Sequence, residues 1–224
     1  MLFRSTQTEW AVALAANRAG AAPLLDAVEQ GLLSARILGL TSIRNRLQAS
    51  KPPGWQERVA KLTRDIPTGD ETRDRLIQER QQNFNPTLGA RDTGQKVFQQ
   101  HCAPCHQIEG QGSLVGPQLT GIGNRGVERL CEDILDPNRN VDVAFRQTLF
   151  TLKEGDVVSG LFRRDDGNSV VYTDAAGHDN SLPKAQVVQR REVDTSLMPE
   201  NFNELISPAD FNHLLAYLLA QRSQ

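Results

Sequence analysis

The sequence predicts a mainly α chain in two parts, the second carrying a small antiparallel β insertion, and three observations lead there. Through residues 9–82 the apolar residues recur at helical spacing, as in Trp10, Ala13, Leu14 and again Ala21, Leu24, Leu25, Val28, which gathers them on one face of a 3.6-residue helix. Between about residues 146 and 192 the pattern changes to alternation and β-branched runs, the signature of half-buried strands. Helical spacing returns at the end, in Phe211, Leu214, Leu215 and Leu218. A length of 224 residues allows two small domains, each with its own core.

In the first part, Arg18-Ala19-Gly20, Ser50-Lys51-Pro52-Pro53-Gly54 and Ile66-Pro67-Thr68-Gly69 interrupt the periodicity with Gly and Pro, dividing it into four or five short helices. The segment has no Cys, no His and few aromatics, so it reads as scaffold without catalytic equipment. Antiparallel helix pairs with apolar inner faces are the unit of HEAT-type solenoids, and the segment has that flavour. One or two such units are too few to stand alone, which points to the end of a longer array.

Residues 83–91 cluster Asn, Pro and Gly where the periodicity lapses and read as a linker. We place the boundary near residue 88, giving a helical HEAT-like segment 1–88 and a second domain 89–224. After the linker, Asp92 or Thr93 is the expected cap of a helix in which Val97 and Phe98 face inward.

The insertion is read as strands at 148–152, 157–162, 170–172 and 186–189. Glu154-Gly155-Asp156, Asp165-Asp166-Gly167-Asn168 and Ala176-Gly177-His178-Asp179 supply the hairpin turns. Asp165, Asp166, Asp174 and Asp179 are better explained by these turns than as calcium ligands. Ser207 and Pro208 then start the last helix, Ser as the cap and Pro at the first helical position.

Charge and composition narrow the function classes. Residues 1–88 carry 12 Lys and Arg against 9 Asp and Glu, and residues 89–224 carry 13 against 18. The second part is therefore mildly acidic and does not attract a phosphate backbone, so no nucleic-acid partner is expected. No apolar run is long enough for a membrane span. Three cysteines, two of them close together, argue against a disulfide framework. Met1-Leu2-Phe3-Arg4-Ser5-Thr6 lacks the basic start and apolar core of a secretory signal.

The chemistry is concentrated in Cys102-Ala103-Pro104-Cys105-His106. Two residues between the thiols let both sulfurs reach the two vinyl groups of a haem, and a His directly after the second Cys is delivered beneath the iron. Cys102 and Cys105 are then the thioether residues of one covalent haem c and His106 is an iron ligand. A thioredoxin-like pair needs a preceding strand in a βαβ context, whereas here a helix leads in and a glycine-rich loop follows. A zinc site needs a second ligand pair, for which Cys131 with His101 or His178 is a poor set.

A low-spin electron-transfer haem needs a sixth ligand, and a thioether suits a relatively high potential. Apart from Met1 the chain has one methionine, Met198, beside Pro199. Met198 is the candidate second metal ligand, with Pro199 stiffening its loop; core filling is the alternative. Among the histidines, His213 sits in the last helix where it is expected to face solvent, His178 in a hairpin turn, and His101 too near the motif to reach the other haem face. Gly110, Gly112 and Gly116 let the post-motif backbone run close to the haem edge, and Pro117 fixes one point of the turn. A carbonyl in this loop is placed to accept from the second nitrogen of His106.

On these residues, 89–224 resembles the class I cytochrome c family. Gly94 and Phe98 match its first helix, Cys102 to His106 its attachment motif, Gly116-Pro117 its post-motif proline, Met198-Pro199 its distal ligand, and Leu214, Tyr217 and Leu218 its last helix. The resemblance implies that the first and last helices cross where Gly94, Phe98 and Tyr217 meet. The 92 positions between His106 and Met198 exceed the usual spacing, and the strand-rich stretch accounts for most of the excess. With Ile134-Leu135-Asp136-Pro137-Asn138-Arg139 and the helical segment before it, the chain resembles the haem-binding domain at the C-terminal end of large planctomycete and verrucomicrobial proteins, which often carry helical repeats and a propeller-type dehydrogenase upstream.

The resemblance implies a piece of a longer exported, periplasmic chain, whose signal lies outside this sequence. The expected function is single-electron transfer to and from a redox partner protein or a dehydrogenase domain, without independent catalysis. A haem enzyme or small-ligand sensor with an open or displaceable distal site is the first alternative, and an adaptor surface with a subsidiary haem is the second.

Overall fold

Helix α1 (Arg4–Ala16) stops just before Asn17. The Asn17 side-chain oxygen accepts from the N–H groups of Ala19 and Gly20, which caps α2 (Arg18–Glu29). The chain break thus falls ahead of the expected Arg18-Ala19-Gly20, and Gly20 lies inside α2. The computed structural model describes residues 4–64, 66 and 69–222. Of the expected third break, Pro67 and Thr68 lie outside the described residues, as do Met1, Leu2 and Phe3 of the N-terminal segment.

The remaining elements follow in order. They are α3 (Thr41–Ser50), α4 (Trp55–Thr63), α5 (Gly69–Asn83), α6 (Arg91–His101), β1 (Gln107–Ile108), β2 (Gln111–Gly112), α7 (Gly126–Leu135), β3 (Arg146–Leu152), β4 (Val157–Asp166), β5 (Ser169–Thr173), β6 (Asp179–Pro183), β7 (Val187–Ser196), α8 (Phe202–Leu205) and α9 (Pro208–Ala220). About half of the chain is helical. No helix among the described residues is long and apolar enough to cross a membrane.

The backbone groups into two compact units: residues 1–72, 146–174 and 179–195 in the first, and residues 73–145, 175–178 and 196–224 in the second. Helix α5, ahead of the sequence boundary at residue 88, contributes Ile77 to the buried core of the second unit.

In the first unit, α1 to α4 enclose a core of Ala11, Ala15, Leu24, Leu25, Ile43 and Leu47. Arg58 of α4 reaches Glu29 and Asp26 of α2; this exposed triplet raises the guanidinium pKa and lowers that of Glu29, in each case first through their hydrogen bond.

The rest of the first unit corrects one expectation. Among the described residues, β3 to β7 form one five-stranded sheet in the order β6-β5-β4-β3-β7, with β3/β4, β4/β5 and β5/β6 antiparallel. This is a substantial sheet and more than a small insertion. It has an apolar cluster on each face. Leu149, Val157 and Val193 pack with Ala49 of α3, while Phe150, Val170 and Leu182 pack with Val158, Phe162 and Tyr172. Arg46 of α3 donates to Ser159 Oγ at 2.6 Å, tying that helix to β4.

The expected strands fall inside β3, β4 and β5 and around the start of β7. Strand β6, Asp-Asn-Ser-Leu-Pro, was not legible, because only Leu182 of it is buried and an edge strand that tolerates Pro shows no alternation. Gly155, Gly167 and Gly177 occupy the turns at positive φ, as their placement in the expected loops requires.

The second unit is organised by α6 and α9. A Cβ on Gly94 would stand 2.0 Å from the carbonyl oxygen of His213 and 2.7 Å from Tyr217 Cβ, so the helices cross at backbone contact. Phe98 and Tyr217 meet with ring centroids 5.6 Å apart. The meeting of Gly94, Phe98 and Tyr217 is therefore as the resemblance implied. Around the crossing lie Val97, Leu130, Ile134, Phe211, Leu214 and Leu215. The cap of α6 is Ala90, not Asp92 or Thr93, and its N–H donates to His213 Nδ1 at 3.0 Å. No side chain caps this end of α6, and the cap residue's own N–H is satisfied by a tertiary partner. Ser207 caps α9 as expected, its Oγ accepting from Asp210 N.

Candidate functional site

Helix α6 delivers the cysteine motif directly. Cys102 N–H still donates to Phe98 O at 2.8 Å, and the turn then tightens as Cys105 N–H and His106 N–H both donate to Cys102 O, at 3.0 and 2.8 Å. Immediately after His106 comes a small hairpin that sequence reading missed. Strands β1 and β2 pair through a two-residue loop with Glu109 at φ 48° and Gly110 at φ 83°, both centres left-handed as a type I′ turn requires. The turn signal was present in Glu109-Gly110, but strands of two residues carry no alternation.

The hairpin sends the chain back over the motif. Ser113 N–H donates to Ala103 O at 3.0 Å and Gly116 N–H to Cys105 O at 2.8 Å. A Cβ on Gly112, already at φ 104°, would lie 2.1 Å from His106 O, so only glycine can make this approach. Gly116 lies against the imidazole itself: a Cβ there would be 2.8 Å from His106 Cε1.

His106 Nδ1 is 2.8 Å from Pro117 O. A carbonyl oxygen only accepts, so Nδ1 carries the proton and Nε2 keeps its lone pair. Burial pushes the His106 pKa down, partly opposed by the Pro117 hydrogen bond. The ring is thus neutral, with its tautomer and plane fixed, which are the properties an iron-ligating imidazole needs. These residues fit a c-type haem: two thiols and an imidazole lie on one tight turn, with a glycine-thin loop behind the ring.

Burial holds both thiols in the protonated form. Burial, and then the neighbouring Cys105, push Cys102 up to about 12, and burial also raises Cys105. A dithiol redox centre depends on a thiolate near neutral pH, so these two are poorly suited to that alternative. Among the described residues no group of three or more His, Cys, Asp and Glu could hold a metal ion, leaving the zinc alternative without a ligand set. Cys131 is a core residue of α7, fully buried, its thiol also pushed to about 12, first by burial and then by Glu128.

Met198 is partly buried and packs against the same core as Cys102 and Ala103. Its backbone N–H donates to Ser196 Oγ at 3.1 Å. The competing histidines have other positions. His213 is half-buried, with its Nδ1 engaged at the start of α6, a correction to the solvent-facing position expected for it. His101 is the last residue of α6, and His178 is exposed in the tip 175–178. That tip belongs to the second unit, and a Cβ on its Gly177 would lie 3.1 Å from Val115 Cγ2 and 3.8 Å from Pro104 O. The turn therefore sits beside the attachment loop, which turn chemistry alone did not reveal.

A further group went unassigned in the sequence. Arg73 makes ion pairs with Asp136 and Glu200, and Arg139 with Asp136 and Asp74. Asp136 and Arg139 belong to the segment noted for its resemblance, yet neither showed what it would touch.

Residues 92–143 match the family model described as Cytochrome c. The match takes in nearly all of α6, the cysteine motif, the returning loop and α7, and ends before the sheet, Met198 and α9. The chain therefore contains a cytochrome c domain, a c-type haem module that carries electrons, and its cofactor is covalently bound haem c.

Proposed function

We propose that Cys102 and Cys105 form the two thioethers, that His106 Nε2 is one iron ligand and Met198 the other, and that the domain shuttles single electrons with a redox partner. Haem c supplies the one-electron iron couple. The observation that carries this reading is the 2.8 Å contact from His106 Nδ1 to Pro117 O. It fixes the tautomer that leaves Nε2 for iron, and Pro117 enters the site through its carbonyl. Met198 is supported by being the sole methionine besides Met1 and by its place on the core that also carries Cys102. A partly buried thioether paired with an oriented neutral imidazole would favour a low-spin iron that changes oxidation state with little rearrangement.

We further infer that the domain works as the terminal module of a larger exported, dehydrogenase-type protein, taking electrons from that partner domain. In this reading α1 to α4 are the HEAT-like end of a helical array. The support is the resemblance of the sequence to such chains.

The absorption spectrum of the oxidised and reduced protein tests the ligand set. Wild type is expected to be low-spin with a Met-to-iron charge-transfer band, and Met198→Ala to lose that band and bind exogenous ligands readily. An unchanged spectrum in Met198→Ala would overturn the Met198 assignment; an open, high-spin wild type would favour a ligand sensor or haem enzyme.

A further inference from the structure

Met198 lies on a short stretch between β7 and α8, and this stretch is held at one end by Asn138 of the turn Asp136-Pro137-Asn138-Arg139 after α7 and at the other by Arg73 of α5, which Asp136 of the same turn anchors. On the N-terminal side, Asn138 Oδ1 accepts from Ser196 N–H at 2.8 Å, and Ser196 Oγ in turn accepts from Met198 N–H at 3.1 Å. On the C-terminal side, two residues beyond Met198, the Glu200 carboxylate is 3.2 Å from one Arg73 nitrogen. The other Arg73 nitrogen is 3.0 Å from Asp136 Oδ1. The second Asp136 oxygen is 2.8 Å from Arg139 Nε, and Arg139 also pairs with Asp74, one residue along α5 from Arg73.

Three of these charges are withdrawn from water: the side chains of Arg73, Asp136 and Glu200 are 11%, 8% and 5% exposed. Buried charges are retained only when paired with good geometry, and a planar guanidinium can bridge two carboxylates where an ammonium serves as a point charge. Removing one member leaves its partner buried and uncompensated, so the loop must move to rehydrate it. A pair this costly to break holds the backbone on either side of it in one place.

We propose that Arg73 and Asn138 are positioning residues for the sixth iron ligand, clamping the Met198 loop through Glu200 and Ser196. This inference rests on the reading of Met198 as that ligand. The clamp gives the Asp136-Pro137-Asn138-Arg139 turn a function: Asp136 anchors Arg73, Arg139 neutralises the outer oxygen of Asp136, and Asn138 holds the other end of the loop. Its effect is to keep the thioether competitive against other ligands.

The test is competition by exogenous imidazole in the haem-loaded protein, read from loss of the Met-to-iron charge-transfer band. Arg73→Met is expected to raise the apparent imidazole affinity at least tenfold. Asn138→Ala, which leaves the ion pairs intact, is expected to raise it severalfold, and Arg73→Lys to fall between wild type and Arg73→Met. Arg125→Met, which breaks an exposed pair with Asp133 in the same unit, is expected to match wild type. If Arg73→Met does not fold, Asn138→Ala and Arg73→Lys decide. Wild-type imidazole affinity in a folded Asn138→Ala together with a folded Arg73→Lys or Arg73→Met would overturn the clamp. If instead wild type binds imidazole as readily as Met198→Ala, it is the ligand reading that fails.

Discussion

The attachment segment and the Met198 loop rest on the same α6/α9 core but are held in different ways. From Cys102 to Pro117 nearly every tie is local: main-chain bonds from Gly116 to Cys105 and from Ser113 to Ala103, and the His106–Pro117 contact across 11 positions. The Met198 loop is held by side chains distant in sequence, Asn138 across 58 positions and Arg73 across 127. A segment that must be recognised while haem is being attached profits from folding on its own turn chemistry. A residue proposed as the second iron ligand can wait for the tertiary fold.

The sharpest break in this comparison comes from Cys102→Ser combined with Cys105→Ser. Covalent haem is expected to vanish, as shown by the mass of the purified chain and by haem remaining with the protein after acidic acetone extraction in wild type only. A double variant that still carries covalent haem would remove the attachment segment from its assigned role.

Next in size is Gly94→Val, which strikes the core beneath both regions. The first Cβ atom meets the His213 carbonyl, and a contact against backbone cannot relax by a rotamer change. Overpacking of this kind costs about 3 kcal/mol. Urea unfolding is expected to show that loss, with the signals of both haem-ligand regions disappearing in one transition. Two separated transitions would show that the regions do not share a foundation.

The smallest effect is Gly116→Ala. The new methyl crowds the His106 ring and weakens the Nδ1–H donation to Pro117 O, so the imidazole becomes a poorer electron donor and ferric iron loses stabilisation. The reduction potential is expected to rise while the Met-to-iron band persists, measured by spectroelectrochemistry. A fall in potential, or loss of the band with no shift, would mean that the two sides of the haem are coupled more closely than their separate anchoring suggests.

Legibility in the sequence followed the same division. Cys102, Cys105, His106 and the glycine-rich return were readable because their geometry is set within a few bonds, and Gly94 with Phe98 and Tyr217 because close helix crossing needs a small residue. The size of the sheet was underestimated: β6 is an edge strand with one buried residue, and β1 and β2 are too short to show a period. Ala90 as the cap of α6 was equally hidden, since its partner is His213, 123 positions away.

The sequence by itself pointed to Cys102, Cys105 and His106 as the proposed attachment residues and iron ligand, because five consecutive residues and a following loop contain the whole geometric requirement. Tertiary structure alone decided where His213 points and what holds the Met198 loop. Each of these depends on a helix end or a buried carboxylate supplied from elsewhere in the chain, and neither spacing nor composition records which distant group will arrive there.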